Sequence, residues 1–148
     1  MKGNTMKFAA RAGGAAALAL GLALAVQPAA PAAENSAPSV TVTPTSGLSD
    51  GDTVTLSATG LTPGDLYHVG QCAFVEEWVY GCNAATSVDA VANAAGEVKV
   101  TLRVNKSFEA VVGAETVPWG TVDCTVTQCM AGLGNAAGEG GGVPVSFR

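Results

Sequence analysis

Histidine and positive charge are scarce in this sequence of 148 residues. There is one histidine, and seven lysines and arginines stand against twelve aspartates and glutamates. Three of the seven cations precede residue 34, so residues 34–148 carry four cations and twelve anions, a net charge of −8. Because cations supply most of the affinity of proteins for phosphate backbones, this deficit argues against direct DNA binding. It is typical of a freely diffusing protein.

Signatures of catalysis are also sparse. His68 is the only imidazole and falls within a predicted strand, and no G-x-S-x-G segment marks a nucleophile elbow. The carboxylates are scattered along the chain rather than paired. We therefore expect that the protein is not an enzyme and that His68 lies on the surface or in the core. A hydrolase that uses His68 as a general base is the weaker alternative.

No apolar run is long enough to cross a membrane. The run at residues 15–26 has twelve residues, whereas a spanning helix needs about 20. It follows three cations and precedes the small-residue segment Ala30-Pro31-Ala32, an order typical of secretory signals. We predict that residues 1–33 are a signal peptide. Residues 34–148 are then a single secreted domain, extracellular and without a membrane anchor.

Four cysteines, Cys72, Cys82, Cys124 and Cys129, lie in the predicted secreted domain. An even number in such a domain predicts two disulfides, and the absence of a paired C-x₂-C motif argues against zinc. Three connectivities are possible. The sequence-local one, Cys72 with Cys82 and Cys124 with Cys129, is favoured because a turn can close each short loop.

Beyond the predicted signal, the sequence lacks the 3.6-residue apolar period of a helix. Apolar and polar residues alternate instead, at residues 39–43, 53–59, 98–104 and 143–147, with less regular runs at 66–74, 86–91 and 116–127. About seven short strands separated by turns predict an antiparallel β-sandwich of immunoglobulin type. A small closed barrel is the structural alternative. Pro144 has no amide donor and predicts an edge strand or a bulge at its position.

Aromatic residues are few, and their distribution is uneven. Seven follow residue 33, and three of these, Phe74, Trp78 and Tyr80, lie between Cys72 and Cys82. A cross-linked hairpin that carries rigid rings is a suitable surface for a flat apolar ligand, because the rings present a large area at a small entropic cost. The alternative is that two of the rings complete the core.

The spacing of the two cysteines sets a register for such a hairpin. If Cys72 pairs with Cys82 across antiparallel strands, Phe74 faces Tyr80. Val75 then faces Val79, and the intervening Trp78 lies near the tip.

Residues 131–142 contain six glycines, including the string Gly132, Gly134 and Gly138. This string is not a dinucleotide-binding fingerprint, because a strand rather than a helix is predicted to follow it. Two interpretations remain open. The segment is either a flexible crossover loop or a groove wall where backbone approaches a ligand closely.

Five short segments of the chain stand in an order found in a known family. They are Pro44-Thr45-Ser46-Gly47-Leu48-Ser49-Asp50-Gly51, Val69-Gly70-Gln71-Cys72-Ala73, Cys82-Asn83, Lys106-Ser107-Phe108-Glu109 and Trp119-Gly120-Thr121-Val122-Asp123-Cys124. In these segments the chain resembles the neocarzinostatin-type apoproteins, the carriers of actinomycete enediyne antibiotics. The resemblance covers nearly all of residues 38–148.

The resemblance implies a seven-stranded antiparallel immunoglobulin-like sandwich with a small two-hairpin subdomain that flanks a ligand cleft. It implies the disulfides Cys72–Cys82 and Cys124–Cys129. It also implies a secreted, monomeric, non-enzymatic carrier that binds a cytotoxic enediyne chromophore noncovalently, without a metal. In such a system DNA is only an indirect partner, because the released chromophore cleaves it.

The same resemblance implies a set of ligand-binding residues. Carried over by position and joined by Trp78 from the aromatic hairpin, the set is Gly70, Cys72, Phe74, Trp78, Tyr80, Cys82, Ser87, Val111, Gly113, Met130, Gly132 and Gly134. Several positions depart from the neocarzinostatin pattern. Phe74 stands for a Trp, Tyr80 for a Leu, Trp78 for a Gly and Ser87 for a Phe, while Val111 and the neighbourhood of Gly113 replace two Phe residues. These departures imply a different enediyne.

A secreted immunoglobulin-like module that binds a protein and no small ligand is the alternative function. It predicts a flat or filled surface where a carrier would have a cleft.

Overall fold

The computed structural model describes residues 37–148, and the signal peptide predicted at residues 1–33 lies outside this range. Ten β-strands and no helix occur within it: β1 Ser39–Thr43, β2 Thr53–Thr59, β3 Leu66–Glu76, β4 Val79–Asn83, β5 Val88–Val91, β6 Val98–Arg103, β7 Ser107–Val112, β8 Val117–Asp123, β9 Cys129–Gly134 and β10 Gly140–Val145. The expected all-β fold is confirmed. Among the described residues there is no helix long and apolar enough to span a membrane.

The strands form two antiparallel sheets. The smaller sheet has the order β1-β2-β6, and the larger has the order β10-β9-β3-β4-β7-β8, with β5 also paired to β3. Ten strands form where about seven were expected, and the additional ones are β4, β7 and β9. The hairpins β3–β4 and β7–β8 join through the pairing of β4 with β7. The two hairpins are therefore continuous with the larger sheet.

The core lies between the inner faces of the two sheets. On β2, Val54, Leu56 and Ala58 are buried, and the alternating residues point to the other face. On β3, Tyr67 and Val69 are buried in the same way. This period-two burial, with one face of each strand packed and the other free, is the sandwich arrangement that the alternation predicts.

Pro144 lies on β10, which is the edge strand of the larger sheet. The position agrees with the prediction from its missing amide donor. β10 ends at Val145, and Phe147 forms a separate parallel bridge with Leu48 rather than continuing the strand.

The register of the β3–β4 hairpin is confirmed in part. Cys72 pairs with Cys82 and Phe74 with Tyr80, but the predicted pairing of Val75 with Val79 is wrong, because Glu76 opposes Val79. A bulge at Val75 shifts the register. The Val75 side chain fills the space above Gly81, where a Cβ added to Gly81 would lie 2.6 Å from Val75 Cγ1. The tip residue Trp78 adopts a left-handed conformation with φ of 64°.

The pentapeptide Asn-Ala-Ala-Gly-Glu occurs twice, at residues 93–97 between β5 and β6 and at residues 135–139 between β9 and β10. In each copy the first and last residues are joined by a backbone hydrogen bond, of 3.0 Å in the first and 2.9 Å in the second. The asparagine Oδ1 accepts from the third and fifth amides in both copies. The glycine has a positive φ in both, as this turn requires.

Candidate ligand-binding site

The outer face of the larger sheet carries most of the residues singled out in the sequence. On β3, the side chains of Tyr67, Val69, Gln71 and Ala73 are buried, and the alternating positions point away from the core. Those outward positions belong to His68, Gly70, Cys72 and Phe74. The period of two in a strand therefore separates the core from a candidate binding face.

Neighbouring strands extend this face in two rows of paired residues. One row runs from Met130 on β9 through Cys72 and Cys82 to Val111 on β7. The other runs from Gly142 on β10 through Gly132 to Gly70.

The disulfide Cys72–Cys82 links directly paired residues of β3 and β4, whose Cα atoms lie 4.1 Å apart. The second disulfide, Cys124–Cys129, closes a short loop between β8 and β9. Both disulfides agree with the local connectivity favoured in the sequence. Only the first lies at the candidate site, where it forms part of the surface.

A pocket of about 550 Å³ opens over the disulfide. β3 and β4 form its floor, the β9–β10 hairpin forms one wall, and Ser87 covers part of the floor beside Gly70. Its lining comprises His68, Val69, Gly70, Cys72, Tyr80, Cys82, Ser87, Met130, Gly132, Leu133, Gly134, Gly138, Glu139, Gly140, Gly141 and Gly142.

Glycine allows the backbones of the wall to approach each other closely. A Cβ on Gly132 would lie 2.5 Å from the carbonyl oxygen of Gly141, and one on Gly140 would lie 2.2 Å from that of Leu133. The glycine-rich segment is thus a paired hairpin that forms a wall of the pocket. The interpretation of this segment as a flexible crossover loop is wrong. On the floor, a Cβ on Gly70 would lie 3.0 Å from Ser87 Oγ, so glycine also leaves room for Ser87.

The polar groups at the pocket do not form a catalytic triad. His68 Nδ1 lies 2.6 Å from Asp89 Oδ1 in an exposed pair across β3 and β5. The Ser87 hydroxyl donates to the carbonyl oxygen of Asn83 at 2.8 Å rather than to His68. His68 therefore lies on the surface, one of the two locations expected for it. No sequence pattern indicated that it would line the pocket.

Glu139 holds the turn of the glycine-rich hairpin through hydrogen bonds to the body of the domain. Its carboxylate accepts from the Thr62 amide at 3.0 Å, from the Thr62 hydroxyl at 3.1 Å and from the Tyr67 hydroxyl. The pKa of Glu139 is lowered, mainly by the hydrogen bond from Tyr67 and to a lesser extent by that from the Thr62 amide. The pKa of Tyr67 is raised, mainly by burial and to a lesser extent by the hydrogen bond to Glu139.

Behind the disulfide, three amide side chains form a polar network. The buried Gln71 donates to the Asn105 carbonyl at 2.6 Å and accepts from the Asn105 amide at 2.8 Å. The buried Asn83 donates to Asn105 Oδ1 at 3.1 Å. These bonds join β3, β4 and the β6–β7 connection, and they satisfy polar groups that would otherwise be costly to bury.

Eight of the twelve ligand-binding residues expected from the sequence line this pocket: Gly70, Cys72, Tyr80, Cys82, Ser87, Met130, Gly132 and Gly134. Val111 lies outside the lining but pairs with Cys82 in the same face. Gly113 lies in the turn after β7, with a φ of 72° and nothing within 4 Å of an added Cβ.

The remaining two expected residues, Phe74 and Trp78, line a shallower depression of about 430 Å³ at the hairpin tip. Phe74 stacks on Tyr80, with ring centroids 4.1 Å apart, and so connects this depression to the pocket. Trp78 is 85% exposed, and its indole N–H donates to Glu77. The three rings therefore do not complete the core.

Several lining residues were not expected from the sequence, and Glu139 is the most informative of them. Its partners Thr62 and Tyr67 lie more than 70 positions away, so no local pattern identifies it. In residues 37–148, no cluster of three or more histidine, cysteine and acidic side chains could hold a metal ion.

Fold and site together define a β-sandwich with two disulfides and a glycine-walled pocket on its larger sheet. The family model described as the Neocarzinostatin family matches residues 40–147. The chain belongs to the neocarzinostatin family, and the resemblance seen in the short segments is confirmed.

Individual relatives agree with this assignment. Macromomycin from Streptomyces macromomyceticus is 56% identical over 144 residues, which cover 97% of each chain. The antitumor antibiotic C-1027 apoprotein from Streptomyces globisporus is 37% identical over 139 residues, covering 94% of this chain and 93% of that protein. The solved structure of macromomycin matches with a TM-score of 0.75 and 60% identity, over 76% of this chain and 100% of its own.

Proposed function

We propose that this protein is a secreted apoprotein that binds, stabilises and carries a cytotoxic enediyne chromophore noncovalently. The observation that carries the proposal is the pocket of about 550 Å³, floored by a disulfide and walled by glycines, in a chain of the neocarzinostatin family. Its volume lies within the range of small-molecule sites. The Cys72–Cys82 disulfide and the Tyr80 ring offer an apolar surface to a flat ligand.

The residues present fit such a ligand. Side chains at Gly132 and Gly140 would collide with neighbouring backbone, so the paired wall and the space beside it depend on glycine. Met130 contributes an adaptable, polarisable side chain at the pocket edge. The open pocket favours a carrier over the protein-binding module, for which a flat or filled surface was expected.

The proposal includes roles outside the pocket. Residues 1–33 are a signal peptide, and the rest of the chain acts outside the cell as a monomer. The protein shields its ligand and performs no chemistry on it. The released chromophore cleaves DNA, which is consistent with the low number of cations in residues 34–148. In the producer, retention of the chromophore by the carrier protects the cell.

Titration with an enediyne chromophore or a naphthoate analogue tests the proposal. We expect saturable quenching of protein fluorescence at micromolar ligand and slower decay of bound than of free chromophore. NMR shift changes should concentrate on Gly70, Tyr80 and Gly132 in the pocket, with Lys99, an exposed residue of β6 in the smaller sheet, as the reference. Neither saturation nor protection at these concentrations would reject the carrier function.

The disulfide at the pocket provides a second prediction. Replacing both Cys72 and Cys82 by serine should weaken ligand binding more than it lowers global stability. A bridge that closes a short loop contributes about 2–3 kcal/mol to stability, whereas its loss frees β4 and the Tyr80 ring from a fixed position. Calorimetric titration and urea unfolding of the same variant measure the two effects, and unchanged binding would make the disulfide purely structural.

A further inference from the structure

The glycine-rich wall of the pocket has few side chains with which to hold its position. Six of the residues 131–142 are glycines, and β10 is the edge strand of its sheet. Backbone pairing to β9 fixes the local shape of β10, but the turn at residues 135–139 projects beyond the strands. A wall of this composition needs an anchor at its free end.

The Glu139 carboxylate is placed to be that anchor. It accepts three hydrogen bonds, from the amide and hydroxyl of Thr62 and from the hydroxyl of Tyr67. The Tyr67 side chain is fully buried, and its hydroxyl also accepts from the Thr62 amide at 3.0 Å. Because a buried hydroxyl is costly to leave without a partner, the core favours the position of Glu139. One further contact, from Asn135 to Asp65 at 3.2 Å, supports the same turn.

The first copy of the pentapeptide shows what the turn does without this anchor. Glu97 occupies the position equivalent to Glu139, after the same four residues and with the same pattern of backbone hydrogen bonds. Its carboxylate contacts only the side chain of Asn93 within its own turn, at 3.4 Å. The anchor is therefore a property of the surroundings of Glu139 and not of the turn sequence.

We infer that Glu139 is a positioning residue for ligand binding: its bonds to Thr62 and Tyr67 fix the turn between β9 and β10, and with it the free end of the glycine-rich wall, in the position that the ligand requires. The inference rests on the proposed carrier function. The glycine-rich hairpin has few side chains that could stabilise its position, and the Glu139 carboxylate takes over that role. Tyr67 does not line the pocket, so its effect on affinity must pass through the wall.

Amide hydrogen exchange in the ligand-free protein tests the anchor directly. Glu139→Ala should accelerate exchange of the amides at 134–142 by about tenfold or more, while amides of β2 and β6 keep their rates. Glu97→Ala is the matched control, since it removes the same side chain from the same turn, and should leave 134–142 unchanged. Glu139→Gln, which keeps an acceptor for Tyr67 and for the Thr62 amide, should restore most of the protection. Wild-type exchange rates in Glu139→Ala would overturn the inference.

Titration of the same variants with a naphthoate analogue tests the consequence for binding. Glu139→Ala should weaken binding by about tenfold, and Tyr67→Phe by a smaller factor in the same direction, while Glu97→Ala binds as the wild type does. A loosened wall with unchanged affinity would overturn the positioning role. Failure of the wild-type protein to bind would instead overturn the proposed function and the positioning role together, and the exchange data would show whether the anchor exists.

Discussion

The two Asn-Ala-Ala-Gly-Glu turns offer a comparison within one molecule. Both have the same backbone hydrogen bonds and the same asparagine cap, yet their glycines and glutamates meet different surroundings. Gly96 is buried against Leu61, whereas nothing lies within 4 Å of an added Cβ on Gly138. Glu97 reaches only its own turn, while Glu139 reaches the core through Tyr67.

The five residues of the pentapeptide determine the conformation of the turn, and the rest of the chain determines the contacts that the turn makes. The local sequence determines the turn, because its asparagine caps the amides and its glycine accepts a positive φ. The segment between β2 and β3 determines the difference. In that segment Leu61 donates to the Gly96 carbonyl at 3.0 Å, and the next residue, Thr62, donates to Glu139. One connection thus hydrogen-bonds both turns, through a backbone carbonyl in the first and through a side-chain carboxylate in the second.

Substitution of the two turn glycines should give the largest difference. A Cβ on Gly96 would lie 2.4 Å from the Leu61 carbonyl oxygen. We expect Gly96→Ala to cost about 3 kcal/mol or more, from the positive φ together with overpacking. Gly138→Ala should cost about 1–2 kcal/mol, from the backbone conformation alone. Urea unfolding of both variants measures the difference, and equal losses of stability would show that the Leu61 contact is easily relieved.

Removal of the Tyr67 hydroxyl should have a smaller effect, confined to the second turn. Tyr67→Phe loses bonds to Glu139 and Thr62 and should cost about 1 kcal/mol of stability. Because the pKa of Tyr67 is raised in the folded state, the stability it contributes is complete below the pKa of the unfolded tyrosine. That stability is lost as pH rises through the folded value. The difference in stability between the wild type and Tyr67→Phe should therefore shrink as pH rises above the pKa of an unfolded tyrosine. Urea unfolding at a series of alkaline pH values measures it, and a difference that stays constant would contradict this.

The smallest effect should come from acid. The pKa of Glu139 is lowered in the folded state, so the stability contributed by its carboxylate is present above the pKa of the unfolded glutamate. It is lost as pH falls through the folded value. The difference in stability between the wild type and Glu139→Gln should therefore shrink as the solution is acidified from neutral pH. Thermal unfolding across the acid range measures it, with Glu97→Gln as the reference, and a difference that stays constant would contradict the assignment.

Much of the fold could be predicted because each signal is local. Alternation located β2 and β6, and the spacing of Cys72 and Cys82 gave the pairing of Phe74 with Tyr80. The bulge at Val75 could not be predicted in the same way. It depends on the space above Gly81, which exists only once β3 and β4 have paired.

The site was predicted less completely, for a related reason. The floor residues lie on strands whose register the cysteines set, whereas Glu139 gains its role from contacts with residues 72 and 77 positions away. The repeated pentapeptide is visible in the sequence, but five residues carry no information about which copy faces a pocket. Phe74 and Trp78 lie on the aromatic hairpin as predicted, but they line a neighbouring depression rather than the pocket.

The hydrogen bonds of the buried Gln71 side-chain amide determine which positions of β3 can change during evolution. Its bonds to Asn105 and Asn83 oppose a one-residue slip of β3, which would turn Gln71 towards the pocket and Gly70 towards the core. With the strand locked in this way, odd-numbered positions from 67 to 73 face the core and even-numbered positions from 68 to 74 face the outer side of the sheet. A lineage can therefore exchange outward-facing residues such as His68 and Phe74, and so change the outer surface of the strand, while its core-facing half is left untouched.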